Sequence, residues 1–232
     1  MSEGVLELSF GSVSSKSFRV LEAIDRFGAI TTAQLEHYLG DVNQSTIFRA
    51  RKRAISLEYV HERVYGMRKL VAITDRGAKF IGKNLKGVNL TNDDMYHQLI
   101  SNQVLLTFLD DYQKDSDVSF QTERDIITEA QIVLPASEWR KQNKLKNLWK
   151  EVPDFIITID GKVIAVEIEI SRKTNKRIEE KLKKYKFSDQ YDSVFYICGN
   201  DYIKRAVGQV NDNLNAGISF LMLNEVISPE EV

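Results

Sequence analysis

Residues 153–173 read PDFIITIDGKVIAVEIEISRK, and this stretch decides how the second half of the chain folds. Asp160-Gly161 is a preferred pair for a two-residue hairpin turn, because both residues tolerate the positive φ that such a turn demands. Apolar residues flank it on either side. Closing the turn there sets Ile159 against Lys162 and, counting back along both strands, Asp154 against Glu167. Alternation along a strand puts Glu169 on the same face as Glu167. Like charges opposed in a sheet repel, and burial beside Val163 and Ala165 raises the cost. A divalent cation held by oxygen ligands would relieve both penalties. The hairpin therefore predicts a metal site at Asp154, Glu167 and Glu169, and with it phosphodiester chemistry. Glu is disfavoured in strands, and two at alternate positions of a Val/Ile-rich run break the local pattern as functional residues do. A solvent-facing strand edge with ordinary acids would show the same letters.

Working outward, residues 84–93 are polar and contain Gly, the composition of a linker. A long helix over 93–112 follows, with Leu99, Val104, Leu105, Phe108 and Leu109 as its core face. A short strand is expected at 118–121 and a short helix at 123–131. Residues 139–150 carry Arg140, Lys141, Lys144, Lys146 and Lys150. Beyond the hairpin the pattern gives a helix at 175–187, a strand at 193–198, a helix at 202–213 and a strand at 218–223. A central mixed sheet with helices on both faces would bury these elements. Ile164, Val166, Ile168 and Ile170 would then face one helix layer, and Val163, Ala165, Glu167 and Glu169 the other.

The first half reads differently. Phe18, Leu21 and Ile24 have helical spacing and Gly28 ends that helix. Thr31 caps a second helix running to about Leu39. A third spans 43–57, two short strands at 60–65 and 69–73 surround Gly66, and Thr74-Asp75-Arg76-Gly77 opens a fourth helix. Three helices, a hairpin and a closing helix predict a winged helix-turn-helix. Its third helix would read DNA through Arg49, Arg51, Lys52 and Arg53, packing through Ile47, Phe48, Ala50, Ile55 and Leu57, with Arg63 and Arg68 on the wing. A protein-binding domain with a solvated basic face would carry the same residues. The expected organisation is a winged helix over 1–86 and an α/β domain over 93–226, an α+β protein in all.

Composition agrees with a globular chain: 232 residues, 43% hydrophobic and 28% charged. The net charge of −1 hides an asymmetry. Residues 1–87 hold fourteen Lys/Arg against nine Asp/Glu, and the remainder eighteen against twenty-four. A basic front half suits an anionic partner. The single cysteine, Cys198, excludes a disulfide framework and suits a reducing cytoplasm. Neither a signal peptide nor an apolar run long enough to span a membrane is expected. His37, His61 and His97 are scattered, without a His-X-His pair, and zinc spacing is absent. His97 reads as a partly buried helix residue able to approach the hairpin. Tyr185 and Tyr191 read as packing residues. Lys173, Lys176, Arg177, Lys181 and Lys184 fall on one helix, either a solvated face or a phosphate grip.

Pro153-Asp154 followed across a hairpin by Glu167-Ile168-Glu169 resembles the PD-(D/E)XK nuclease superfamily. With the preceding winged helix and the segment Glu167–Lys173, the chain looks more closely like the replication-relaxation family, which includes MobC-type plasmid mobilisation proteins. The resemblance implies a restriction-endonuclease-like fold for the back half. It also implies double-stranded DNA as partner, at an origin of transfer or replication of a mobile element and among other relaxosome proteins. By it, Asp154 and Glu167 would hold Mg²⁺ or Mn²⁺. The superfamily lysine belongs two residues after Glu167, where this chain has Glu169; Lys173 would be the displaced lysine, and Glu123 stands where the superfamily often has a helical acid. Lys176 and Arg177 would contact phosphates. The expected activity is metal-dependent DNA nicking. A catalytically inactive DNA-binding accessory and a transcriptional regulator are the alternatives.

Overall fold

The computed structural model describes residues 15–89, 91–133, 148–149 and 151–228. The basic residues Arg140, Lys141, Lys144, Lys146 and Lys150 lie outside the described residues.

The front half runs α1 (Ser15–Phe27), β1 (Ala29–Thr31), α2 (Thr32–Tyr38), α3 (Gln44–Ser56), β2 (Val60–Tyr65), β3 (Arg68–Ile73) and α4 (Asp75–Phe80). Side chains fix the helix starts. Thr31 and Gln34 form a reciprocal capping box at α2, Asn43 caps α3 and Thr74 caps α4. Gly77 lies so close to the Tyr59 carbonyl that a Cβ would stand 2.1 Å from its oxygen, a packing only glycine allows. The strands form an antiparallel sheet in the order β1-β3-β2. Strand β1 was not expected; it is three residues long and follows Gly28 directly.

The back half runs α5 (Asn92–Tyr112), β4 (Val118–Thr122), α6 (Glu123–Val133), β5 (Phe155–Ile159), β6 (Lys162–Glu169), α7 (Asn175–Lys186), β7 (Ser193–Cys198), α8 (Asp201–Leu214), β8 (Ser219–Met222) and α9 (Leu223–Val226). Its five strands lie in the order β4-β5-β6-β7-β8. Strands β4, β5 and β6 are antiparallel, while β6, β7 and β8 are parallel, which makes the mixed sheet that the pattern predicts. Asp160 and Gly161 take φ of 50° and 79°, and Ile159 pairs with Lys162 and Phe155 with Val166. The hairpin thus closes at the expected turn and in the expected register.

Each sheet face has its own core. Ile164, Val166, Ile168 and Ile170 join Val104, Leu105 and Phe108 of α5. On the other face Ala165, Tyr196 and Cys198 pack against α7 and α8. Helix α5 also packs Met95 and Leu99 on Leu70 and Ala72 of the front sheet, so it is apolar around most of its circumference. One core cluster accordingly runs from Val20 of α1 to Ile168 of β6. The segment expected as a linker is itself packed: Leu85 is buried with Ile127 and Val152, and the Val88 N–H donates to the Ile73 carbonyl at 2.8 Å. Among the described residues no helix is long and apolar enough to cross a membrane.

Candidate functional site

At the end of the hairpin away from its turn lies a cleft of about 830 Å³, walled by β6, α7, the start of α6 and the N-terminal turns of α5. Asp154, Glu167, Glu169 and Lys173 all line it, as do Lys176 and Arg177. Residues scattered over 24 positions of sequence come together because the hairpin register sets the acids side by side and α7 folds back over them.

Each carboxylate has partners. Asp154 accepts the Ile168 N–H through Oδ2 at 2.6 Å, and its Oδ1 lies 3.7 Å from His97 Nε2. His97 itself sits 3.0 Å from the Ile168 carbonyl. Glu167, almost fully buried, bonds the Tyr185 hydroxyl and pairs with Lys181 Nζ at 2.6 Å. Glu169 lies 3.5 Å from Lys173 Nζ. Glu123, on the first turn of α6, joins the same wall.

The electrostatics follow from burial and crowding. Burial pushes Glu167 up to about 7, against the pull of Lys181 and with a further push from Asp154. Glu123 rises to about 8, first through burial and then through Asp154. Glu169 is raised by burial, with Lys173 opposing. Burial alone would lower Lys181, but Glu167 and Asp154 outweigh it and hold the ammonium charged. Asp154, Glu167, Glu169 and Glu123 thus crowd Lys181 and Lys173, and over the whole lining seven carboxylates face five lysines and arginines.

The donor set suits a hard divalent cation in kind, being all oxygen and anionic. The side chains as placed favour lysine instead. Among the described residues no three His, Cys, Asp or Glu side chains converge closely enough to hold a metal ion.

Two partners of Glu167 are not legible in the sequence. Lys181 reads as part of a solvated or phosphate-gripping face, yet it reaches Glu167. The signal was its position three residues after Ile178 and four before Tyr185, both on the buried face of α7. Tyr185 packs as expected, and in addition bonds Glu167.

The other predicted residues lie apart from the cleft, on the front half. Arg49, Lys52 and Arg53 are exposed on α3. Arg51 points inward, bonded to Thr32 Oγ1 and 3.7 Å from Glu62, because it stands four residues after Ile47 on the packed face. Phe48, expected in the core, is instead exposed, with Lys52 Nζ 4.6 Å from its ring centre. Arg63 is exposed and donates to Asn89. Arg68 lines a shallow pocket with His37 and Lys69. Comparison of the chain with protein-family models, curated proteins and solved structures finds no match.

Proposed function

We propose that this protein binds double-stranded DNA through its front half and nicks it, metal-dependently, in the cleft of its back half. The observation that carries this is that Asp154, Glu167 and Glu169 line one recess with Lys181, beside Lys173, Lys176 and Arg177. The five-stranded sheet, with a β4-β5-β6 meander followed by parallel β7, supports a restriction-endonuclease-like reading of the back half. The order of α1, α2, α3 and the β2–β3 hairpin supports a winged-helix reading of the front half.

In this scheme Arg49, Lys52 and Arg53 on α3 meet the duplex, with Arg63 and Arg68 on the hairpin alongside. Lys176 and Arg177 hold the strand by its phosphates. Asp154, Glu167 and Glu169 would hold Mg²⁺ or Mn²⁺, which supplies charge stabilisation at the scissile phosphate. Lys181 takes the place of the lysine that Glu169 displaces from the strand. Its ammonium, kept charged by Glu167, would stabilise the negative charge that grows as the phosphodiester opens. Lys173 is the nearer alternative to Glu169 for the same service. The resemblance to the replication-relaxation family would make that DNA an origin of transfer or replication of a mobile element.

Incubating supercoiled plasmid with the protein in Mn²⁺ or Mg²⁺, then in EDTA, tests this. Metal-dependent open circles, lost in Glu167→Ala with DNA retention intact, are expected. One observation favours a second function. Both Glu167 oxygens are engaged, by Tyr185 and Lys181, as they would be in a DNA-binding accessory that does not cut. A clear gel shift without nicking in any metal would establish that function.

A further inference from the structure

The first turn of α6 faces two ways. Thr122, Arg124 and Asp125 are bonded to the front half, and Glu123 between them lines the cleft. Thr122 Oγ1 donates to the Arg26 carbonyl at 2.7 Å. Buried Arg124 donates to Asp25 at 2.5 Å and to the Lys86 carbonyl at 3.1 Å. Asp125 accepts from Arg26 Nε at 2.6 Å.

Arg26 gathers these contacts. Its other nitrogens donate to the Tyr38 hydroxyl at 3.0 Å and the Phe120 carbonyl at 2.7 Å, and its guanidinium lies 3.9 Å from the centre of the Phe120 ring. A planar fork anchored on α2, β4 and α6 at once fixes orientation as well as distance. None of this is needed to start the helix. Thr122 and Asp125 already cap it reciprocally, through N–H donations of 3.1 and 3.3 Å. On the cleft side, the Glu123 N–H donates to the Asp154 carbonyl at 3.2 Å.

We propose that Asp25 and Arg26 are positioning residues for the cleft: through Arg124 and Asp125 they set the first turn of α6, and with it the Glu123 carboxylate beside Asp154. The front half is then part of the site as well as a holder of DNA. The link to function rests on the cleft reading above; the joint itself stands whatever the cleft does.

A double-mutant cycle on the full chain tests it, pairing Glu123→Gln with Arg26→Gln and Arg26→Lys and reading the folding equilibrium in urea at pH 8. In the otherwise unaltered chain Glu123→Gln removes a carboxylate from a crowded, buried cluster, and the folding constant rises about thirtyfold. With Arg26→Gln the turn is released, Glu123 relaxes toward water, and the gain falls below about twofold. Arg26→Lys keeps an ion pair without the fork and gives an intermediate gain. An equal gain in all backgrounds overturns the proposal, since Arg26 would then only stabilise the fold. Should Arg26→Gln not fold, Arg26→Lys and Asp125→Asn carry the same comparison. Mn²⁺ titration of the unaltered chain separates the two claims. A coupled cycle without Mn²⁺ binding sinks the metal site and leaves the joint; Mn²⁺ binding with equal gains sinks the joint alone.

Discussion

Among the described residues two carboxylates are withdrawn almost completely from solvent, Asp25 at 0% exposure and Glu167 at 4%, and their surroundings differ in the balance of charge. Asp25 meets Arg124 and Lys83, at 2.5 and 2.8 Å, and the neighbouring Asp125 meets Arg26. Two acids there face three bases. Glu167 meets Lys181, and its companions Asp154, Glu169 and Glu123 add only Lys173. Over the whole cleft seven acids face five bases. The first arrangement is compensated and holds two halves of a molecule together. The second crowds more acids than bases in an open recess and pushes Glu167 and Glu123 up to about 7 and 8, at a cost in stability that a structural joint has no reason to bear.

The largest expected effect comes from breaking the compensated side. Asp25→Ala leaves buried Arg124 without its carboxylate, with only the Lys86 carbonyl to accept from it, and urea denaturation should show a loss of about 3–5 kcal/mol. A loss under about 1 kcal/mol would mean that water reaches the joint.

Relieving the uncompensated side should work in the opposite direction. Glu123 has its folded pKa raised from 4.5 to about 8. The folded chain therefore holds more protons than the unfolded one between those values, and stability contributed by this group falls as pH rises through that window. Glu123→Gln should raise stability by roughly 2 kcal/mol at pH 8 and leave it unchanged at pH 4. Glu167, raised to about 7, acts in the same sense over 4.5 to 7. A gain independent of pH would mean that neither burial nor Asp154 raises the Glu123 carboxyl.

The smallest expected effect separates neighbours on α3. Arg51→Ala removes the inward partner of Thr32 and Glu62 and should cost about 2 kcal/mol of stability. Arg49→Ala, on the exposed side, should change stability by less than about 0.5 kcal/mol and weaken DNA retention, read by thermal melting beside a salt-dependent gel shift.

This contrast was only half legible in the sequence. The Asp160-Gly161 turn fixed the hairpin register, because φ preference and alternation are local, and the register alone brings Asp154, Glu167 and Glu169 to one end of the sheet. The compensated joint left no such trace. Asp25 and Arg124 are 99 residues apart, and nothing in either neighbourhood names the other. Lys181 and Arg51 were misplaced for a shared reason. Both are cations on the packed face of an amphipathic helix, where composition suggests solvent and only the tertiary partner, Glu167 or Glu62, explains the position. Phe48 is the converse, an aromatic turned outward beside Lys52.

Direct Mn²⁺ titration by calorimetry at pH 7.5, on the unaltered chain and on Asp154→Asn and Glu167→Gln, tests most directly whether the uncompensated recess is a cation site. Saturable binding of one or two ions, lost in both variants while their folding is intact, is the predicted result. Unchanged binding in both variants, or none in the unaltered chain, would contradict it and leave Lys181 as the cation that the cleft is built to hold.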